Sequence, residues 1–198
     1  MTDPAAGALA RSFDSLLFDL DGVVYIGPGA VPHAAEAIAA ARSAGIACGY
    51  ITNNAARPAQ SVADHLVELG IDASVDEVVT SPQAAVALLP DFVPAGAAVL
   101  VVGGEGIEEA LIGAGYRPVR HLDEGPAAVM QGYHPDLAWR DLAEATFAVR
   151  SGLPWIATNP DLTFPTPRGV APGNGAMVRI VAERVRSEEH TSELQSHS

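Results

Sequence analysis

Short apolar runs alternate with Ala-rich amphipathic stretches along this chain. Ser15 to Leu20 is an apolar run that ends in Asp21-Gly22, the pattern of a buried strand. Pro32 to Ala44 is Ala-rich, with Pro at its start and Gly45 just past its end, which predicts a helix. Ile46 to Thr52 predicts a second strand. Arg57 to Leu69 repeats the helix pattern, with Pro58 early, Gly70 closing, and Val62, Leu66 and Leu69 on one face. Glu77 to Thr80 predicts a short strand, and Ser81-Pro82 opens another helix. Strands alternating with helices in this way predict a parallel α/β sheet. Ligands of such sheets bind at the carboxyl ends of the strands, where Asp19 and Thr52 fall.

A proline-interrupted break, Leu89 to Gly96, separates this part from a second one of the same kind. Ala98 to Val102 predicts a strand and Glu105 to Gly113 a helix. Ala127 to Gly132 predicts a strand, and Asp136 to Ser151 a long amphipathic helix closed by Gly152. Trp155 to Thr158 predicts a further strand, and Gly173 to Val185 a last helix. The second α/β module is expected from about Pro82 onward.

Composition narrows the partners. The 198 residues hold 11 basic and 24 acidic side chains, a formal net charge of -13. That balance repels phosphodiester backbones and anionic membrane surfaces. No apolar run reaches the ~18 residues that a membrane helix needs. Met1 to Ala10 shows no secretory pattern. The single cysteine, Cys48, cannot close an internal disulfide, which fits a reducing cytoplasm. All 11 basic residues are arginine, so the chain contains no lysine.

The texture changes at Arg186. The end, Ser187 to Ser198, is Ser-, Glu- and His-rich and resembles the translation of a sequencing-library adapter. Residues 187–198 are therefore set aside as an artefactual tail, and the natural protein is expected to continue past Val185. Without 186–198 the balance is 10 basic and 21 acidic residues, still strongly acidic.

The chemistry concentrates in Phe18-Asp19-Leu20-Asp21-Gly22-Val23. Two carboxylates two apart at a strand end project to one side, with Leu20 turned to the core between them. Gly22 permits a sharp turn and close backbone approach. Such a pair suits Mg²⁺, and one carboxylate can attack phosphorus while the other exchanges protons. Read alone, Asp-x-Asp-Gly is equally an ordinary strand-end turn. Tyr50-Ile51-Thr52-Asn53-Asn54 offers a hydroxyl and backbone N–H groups that can cradle a phosphate oxygen. Read alone, it is equally a helix cap or turn.

In this order the two motifs resemble the haloacid dehalogenase-like (HAD) phosphatase superfamily. Ile156-Ala157-Thr158-Asn159-Pro160-Asp161, Phe164-Pro165 and Gly169 to Gly175 are similar to the signature of its subfamily IIA, the NagD-like and 4-nitrophenylphosphatase-like enzymes. Val79-Thr80-Ser81, Arg117 to Arg120 and Asp141 to Ala145 are similar to the actinobacterial glycerol-3-phosphate phosphatase type. The resemblance runs from about Leu16 to Val185. It implies an α/β fold: a partial Rossmann-like core with a parallel sheet in residues 1–81, and a C2-type α/β cap in 82–185. It implies a Mg²⁺-dependent phosphomonoester hydrolase working through an aspartyl-phosphate. The substrate would be a small phosphorylated metabolite such as glycerol 3-phosphate, phosphoglycolate or an aryl phosphate. Asp19 would be nucleophile and metal ligand. Asp21 would be general acid and base, its backbone carbonyl touching the metal. Thr52, Asn53 and Asn54, with Gly22, would hold the phosphoryl group. Asp161 and Phe164 would help choose the substrate from the cap. The family also uses a lysine after the cap and acidic residues on a later core strand. This chain has neither, so it is expected to be inactive by itself.

Expected partners are the phosphorylated metabolite, with neither nucleic acid nor membrane; a homo-oligomer through the cap is left open. Two other readings share the motifs: a non-catalytic phosphate- or nucleotide-binding remnant, and a receiver-type signalling domain. The receiver also needs a lysine and has no second module. Among the remaining residues, Cys48 reads as a core thiol. Trp139 and Trp155 also read as core. His33, His65, His121 and His134 read as surface or capping residues. Gly103 to Gly106 reads as a strand-to-helix turn, and Arg179 and Arg184 as solvated helix charges.

Overall fold

The computed structural model of the chain describes residues 13–166 and 168–195, with side chains as far as Arg186. The described chain divides into two units. The first holds the chain through Thr52 together with Ala59–Thr80. The second holds Asn53–Pro58 and the chain from Ser81 onward.

In the first unit, β1 (Ser15–Asp19), β4 (Ala47–Thr52) and β5 (Val78–Thr80) form a parallel sheet in the order β1-β4-β5. A small antiparallel pair, β2 (Tyr25–Ile26) and β3 (Gly29–Ala30), follows β1. Helices α1 (Ala34–Ser43) and α2 (Ala59–Glu68) cover one face of the sheet. Ile38, Val62 and Leu66 pack there against Leu20, Cys48, Tyr50 and Val78, all buried. The other face carries Leu17, Ile51 and Val79, which are 69%, 41% and 48% exposed. The register puts them on one side, since Leu17 pairs with Gly49, and Ile51 with Val79.

An ion pair ties α1 to the strand ends. Arg42, in the last turn of α1, donates to Glu77 at 2.7 Å, and Glu77 also accepts the Ser74 N–H at 3.0 Å. The hydrogen bond from Arg42 holds the Glu77 carboxyl below its ordinary range and raises the guanidinium above its own. A carboxylate whose folded pKa is depressed stabilises above its unfolded value, and that stability is lost as pH falls through the folded one. Glu77→Gln is therefore expected to cost about 1 kcal/mol at neutral pH. In thermal melts, the difference from wild type should shrink as pH falls from the ordinary glutamate range through the lowered pKa of the folded state.

In the second unit, β6 (Ala98–Val102), β7 (Arg117–Val119), β8 (Ala128–Gln131) and β9 (Trp155–Ala157) form a parallel sheet in the order β7-β6-β8-β9. Both faces are covered. Helices α3 (Ser81–Val86) and α4 (Glu105–Gly113) pack on Val99, Val101 and Met130. Helices α5 (Trp139–Arg150) and α6 (Asn174–Gln195) pack on Ala98, Leu100, Val102 and Val129. Every residue of β6 and β8 is buried, as a two-sided parallel sheet demands. The turn Gly103-Gly104 joins β6 to α4, as the sequence predicts. A Cβ on Gly106 would stand 2.6 Å and 2.7 Å from the carbonyl oxygens of Ala55 and Arg57. Those are backbone atoms and cannot yield cheaply, so Gly106→Ala is expected to cost about 2 kcal/mol, read as a lowered Tm.

Several expectations change. The sequence predicts no element between β9 and α6. That stretch folds as an antiparallel hairpin of β10 (Thr163–Thr166) and β11 (Gly169–Pro172), two short segments whose prolines and glycine hide the strand pattern. Trp139 is not core: it is 81% exposed, because it opens α5 ahead of the inward stripe Leu142, Ala145, Ala148 and Val149. Trp155 is half-buried in that core and donates its indole N–H to Gln131 at 3.2 Å. His65 is half-buried and packs edge-on against Tyr25, 5.0 Å between ring centres. Cys48 is buried, as expected. Helix α6 runs on to Gln195, past the point where the last helix was expected to stop. The stretch 186–195 holds no Gly or Pro to end it. Residues 196–198 of the expected tail lie outside the described residues. Among the described residues, no helix is long and apolar enough to cross a membrane.

Candidate active site

Asp19 is the last residue of β1 and is exposed. Its Oδ1 accepts the backbone N–H of Leu20 at 2.8 Å. Leu20 is completely buried and anchors the turn that follows. Its carbonyl accepts the N–H groups of Val23, Val24 and Tyr25 at 3.2, 2.9 and 3.2 Å. Gly22 has a φ of +84°, a backbone conformation that L side chains rarely adopt, and donates its N–H to the Tyr25 carbonyl at 2.8 Å. The apolar anchor and the glycine turn thus hold Asp21 at the strand end with its side chain exposed.

Thr52 ends β4 and is 5% exposed. Its hydroxyl donates to Asp21 Oδ2 at 3.3 Å. β1 and β4 are parallel, with Asp19 opposite Ile51, so Asp19, Asp21, Gly22 and Thr52 gather at the carboxyl end of one sheet. Thr80, at the end of β5 and opposite Thr52, is also buried; in sequence it reads as a plain strand end.

The remaining residues singled out in the sequence belong to the second unit. The Asn53 side-chain amide donates to the Asp161 carboxylate. The Asn53 carbonyl accepts from Ser81 Oγ at 2.8 Å and from Asn159 Nδ2 at 2.9 Å. Asn54 Oδ1 accepts the Ala56 N–H at 2.9 Å, a side-chain turn that bends the chain before Pro58. Phe164 packs edge-on against Tyr133, with ring centres 4.7 Å apart. Ser81, Asn159 and Asn174 are polar contributors that the sequence did not single out one by one. Their signals were three separate motifs, Val79-Thr80-Ser81, Asn159-Pro160-Asp161 and Gly173-Asn174-Gly175, legible as motifs but not as a set of bonds.

The donor set at the sheet end is exposed carboxylate and carbonyl oxygen, the chemistry a hard divalent cation takes. Among the described residues, no group of three or more His, Cys, Asp or Glu side chains could hold a metal ion. The arrangement can present a carboxylate nucleophile beside a second carboxyl that a threonine hydroxyl orients.

Residues 16–117 match the family model for haloacid dehalogenase-like hydrolases. D-glycerol 3-phosphate phosphatase of Mycobacterium tuberculosis is 44% identical over 171 residues, 86% of this chain and 48% of that protein. Acid sugar phosphatase of Staphylococcus aureus is 37% identical over 172 residues, 87% of this chain and 65% of that protein. The crystal structure of the M. tuberculosis glycerol phosphate phosphatase in complex with magnesium superposes with a TM-score of 0.84 at 42% identity. That match covers 89% of this chain and 53% of the solved one. The chain thus spans about half the length of the mycobacterial relative. Family model, sequence relatives and fold point the same way as the paired aspartates: the chain belongs to the haloacid dehalogenase-like hydrolases, with relatives of the subfamily IIA kind.

Proposed function

We propose that the chain is part of a Mg²⁺-dependent phosphomonoester hydrolase that works through an aspartyl-phosphate. The observation that carries this reading is the hydrogen bond from Thr52 to Asp21 beside Asp19 at the sheet's carboxyl end. In the first step an Asp19 carboxylate oxygen attacks phosphorus and the bond to the substrate's alkoxide oxygen breaks. Asp21, carboxyl protonated, gives its proton to that alkoxide. In the second step Asp21 takes a proton from water, whose oxygen attacks phosphorus and releases phosphate from Asp19. Thr52 keeps the Asp21 carboxyl oriented through both transfers. The Asn53 and Asn54 turn and Gly22 supply backbone that can approach phosphoryl oxygens closely.

Asp19 and the Asp21 backbone carbonyl would hold Mg²⁺, which neutralises phosphoryl charge when bound. Their oxygens fit such an ion, and the two-residue set accounts for only part of its shell. The substrate is proposed to be a small phosphorylated metabolite of the glycerol 3-phosphate or phosphoglycolate kind, met in the cytoplasm. The phosphatase names of both relatives support that class. The test is phosphate release from glycerol 3-phosphate, phosphoglycolate and 4-nitrophenyl phosphate. It uses a version continued past Val185 by its natural coding sequence, with Mg²⁺ and with chelator. Hydrolysis of none of the three, or hydrolysis that the chelator leaves unchanged, would overturn the reading.

A further inference from the structure

We infer that Asn159 and Asp161 are positioning residues that hold Asn53, and that Asp161 acts on that residue rather than selecting the substrate. The inference rests on the phosphomonoesterase reading, in which backbone of the Asn53–Asn54 turn holds the transferring phosphoryl group.

Asn53 is exposed, yet three hydrogen bonds converge on it. Asp161 takes its side-chain amide, and Ser81 and Asn159 both donate to its carbonyl. Bonds that serve stability alone gather on buried groups, where an unmade bond is costly. At an exposed residue they add little to stability, but they do fix orientation. The two bonds to the carbonyl fix the peptide between Asn53 and Asn54, and the third fixes the Asn53 side chain, on the residue directly after Thr52.

The holders are themselves held. The Asp161 N–H donates to Asn159 Oδ1 at 3.2 Å, so the two residues form one turn. Asn174, buried at the start of α6, donates to the Asn159 carbonyl at 2.8 Å. The N–H of Gly175 donates to the Asp161 carbonyl at 2.8 Å, and that of Gly173 to the Leu162 carbonyl at 2.8 Å. A Cβ on Gly173 or Gly175 would run into the carbonyl oxygens of Asp161 or Pro160. The turn 159–161 is therefore pressed against the start of α6 with no space for a side chain between. Asn53 meets a frame set before any ligand arrives, and a donor set in advance costs no reorganisation during reaction.

Selection and positioning differ in what they ask of Asp161. Selection by charge needs the carboxylate. Positioning needs only an acceptor for the Asn53 amide, which an asparagine oxygen supplies. In the version continued past Val185, Asp161→Asn should stay within about twofold of wild type on all three substrates. Asp161→Ala and Asn159→Ala should each raise KM about tenfold, by the same factor for each substrate, with kcat within about threefold. A KM change in Asp161→Ala that depends on the substrate, an equal loss in Asp161→Asn, or no change in either alanine variant would overturn the inference. A second measurement needs no activity. In the 198-residue chain, the Asn53 side-chain amide should exchange slowly with solvent by ¹⁵N NMR, and quickly in Asp161→Ala. Fast exchange in wild type, or slow exchange in Asp161→Ala, would overturn the clamp. If the continued version hydrolyses none of the substrates, the phosphomonoesterase reading falls and the positioning role falls with it, while exchange still decides the clamp.

Discussion

Asp19→Asn should reduce turnover by about 10⁴-fold or more in the version continued past Val185. The exposed carboxylate of Asp19 is the group that must reach phosphorus, and an amide oxygen is a poor nucleophile. Loss of a nucleophile in a cooperating set costs rate on this scale. The same substitution removes a charged oxygen ligand, so Mg²⁺ activation should weaken in parallel. Folding should be little changed, because the amide oxygen of an asparagine at this position can still accept the Leu20 N–H that Asp19 accepts at 2.8 Å. The measurements are kcat/KM with 4-nitrophenyl phosphate and a thermal melt on the same preparation. Activity near wild type with an unchanged melt would sink the aspartyl-phosphate mechanism.

The strand ends were legible because the chemistry sits where periodicity changes. Ser15 to Leu20 reads as a strand, and the next residues are Asp21 and Gly22, so the carboxylate pair and its turn are visible together. Thr52 was legible for the same reason, as the polar residue closing an apolar run. The hairpin β10–β11 was not, since Pro165 argues against a strand and only pairing with Val170 makes one of it. Trp139 reads as core because no basic or aromatic residues accompany it, but that composition does not say which way the side chain faces. The clamp on Asn53 joins residues 106 and 108 positions apart, and no local pattern reports a contact at that range. Glu77 with Arg42 was missed likewise, 35 residues apart.

The 198-residue chain by itself is expected to hydrolyse 4-nitrophenyl phosphate at no more than about one hundredth of the rate of the continued version, even with Mg²⁺ supplied. It contains no lysine to meet the charge that spreads over the phosphoryl oxygens. Removing one such electrostatic element costs roughly 10²–10³ in rate. Among the described residues the carboxylates form no three-membered metal group, so Mg²⁺ affinity should also be weak. The first unit adds a physical liability. Parallel sheets are normally covered on both faces, and here Leu17, Ile51 and Val79 face outward together. Gly49, with no side chain, lies opposite Leu17, and a Cβ there would stand 2.8 Å from Leu17 Cδ2, so Leu17 leans over the gap rather than into a core. Such a patch binds hydrophobic dyes and drives association. The purified chain should brighten ANS and elute above its monomer size, and Leu17→Glu with Val79→Thr should reduce both effects while leaving the residual hydrolysis where it was. Turnover equal to that of the continued version would show that the lysine-free chain is already a complete catalyst.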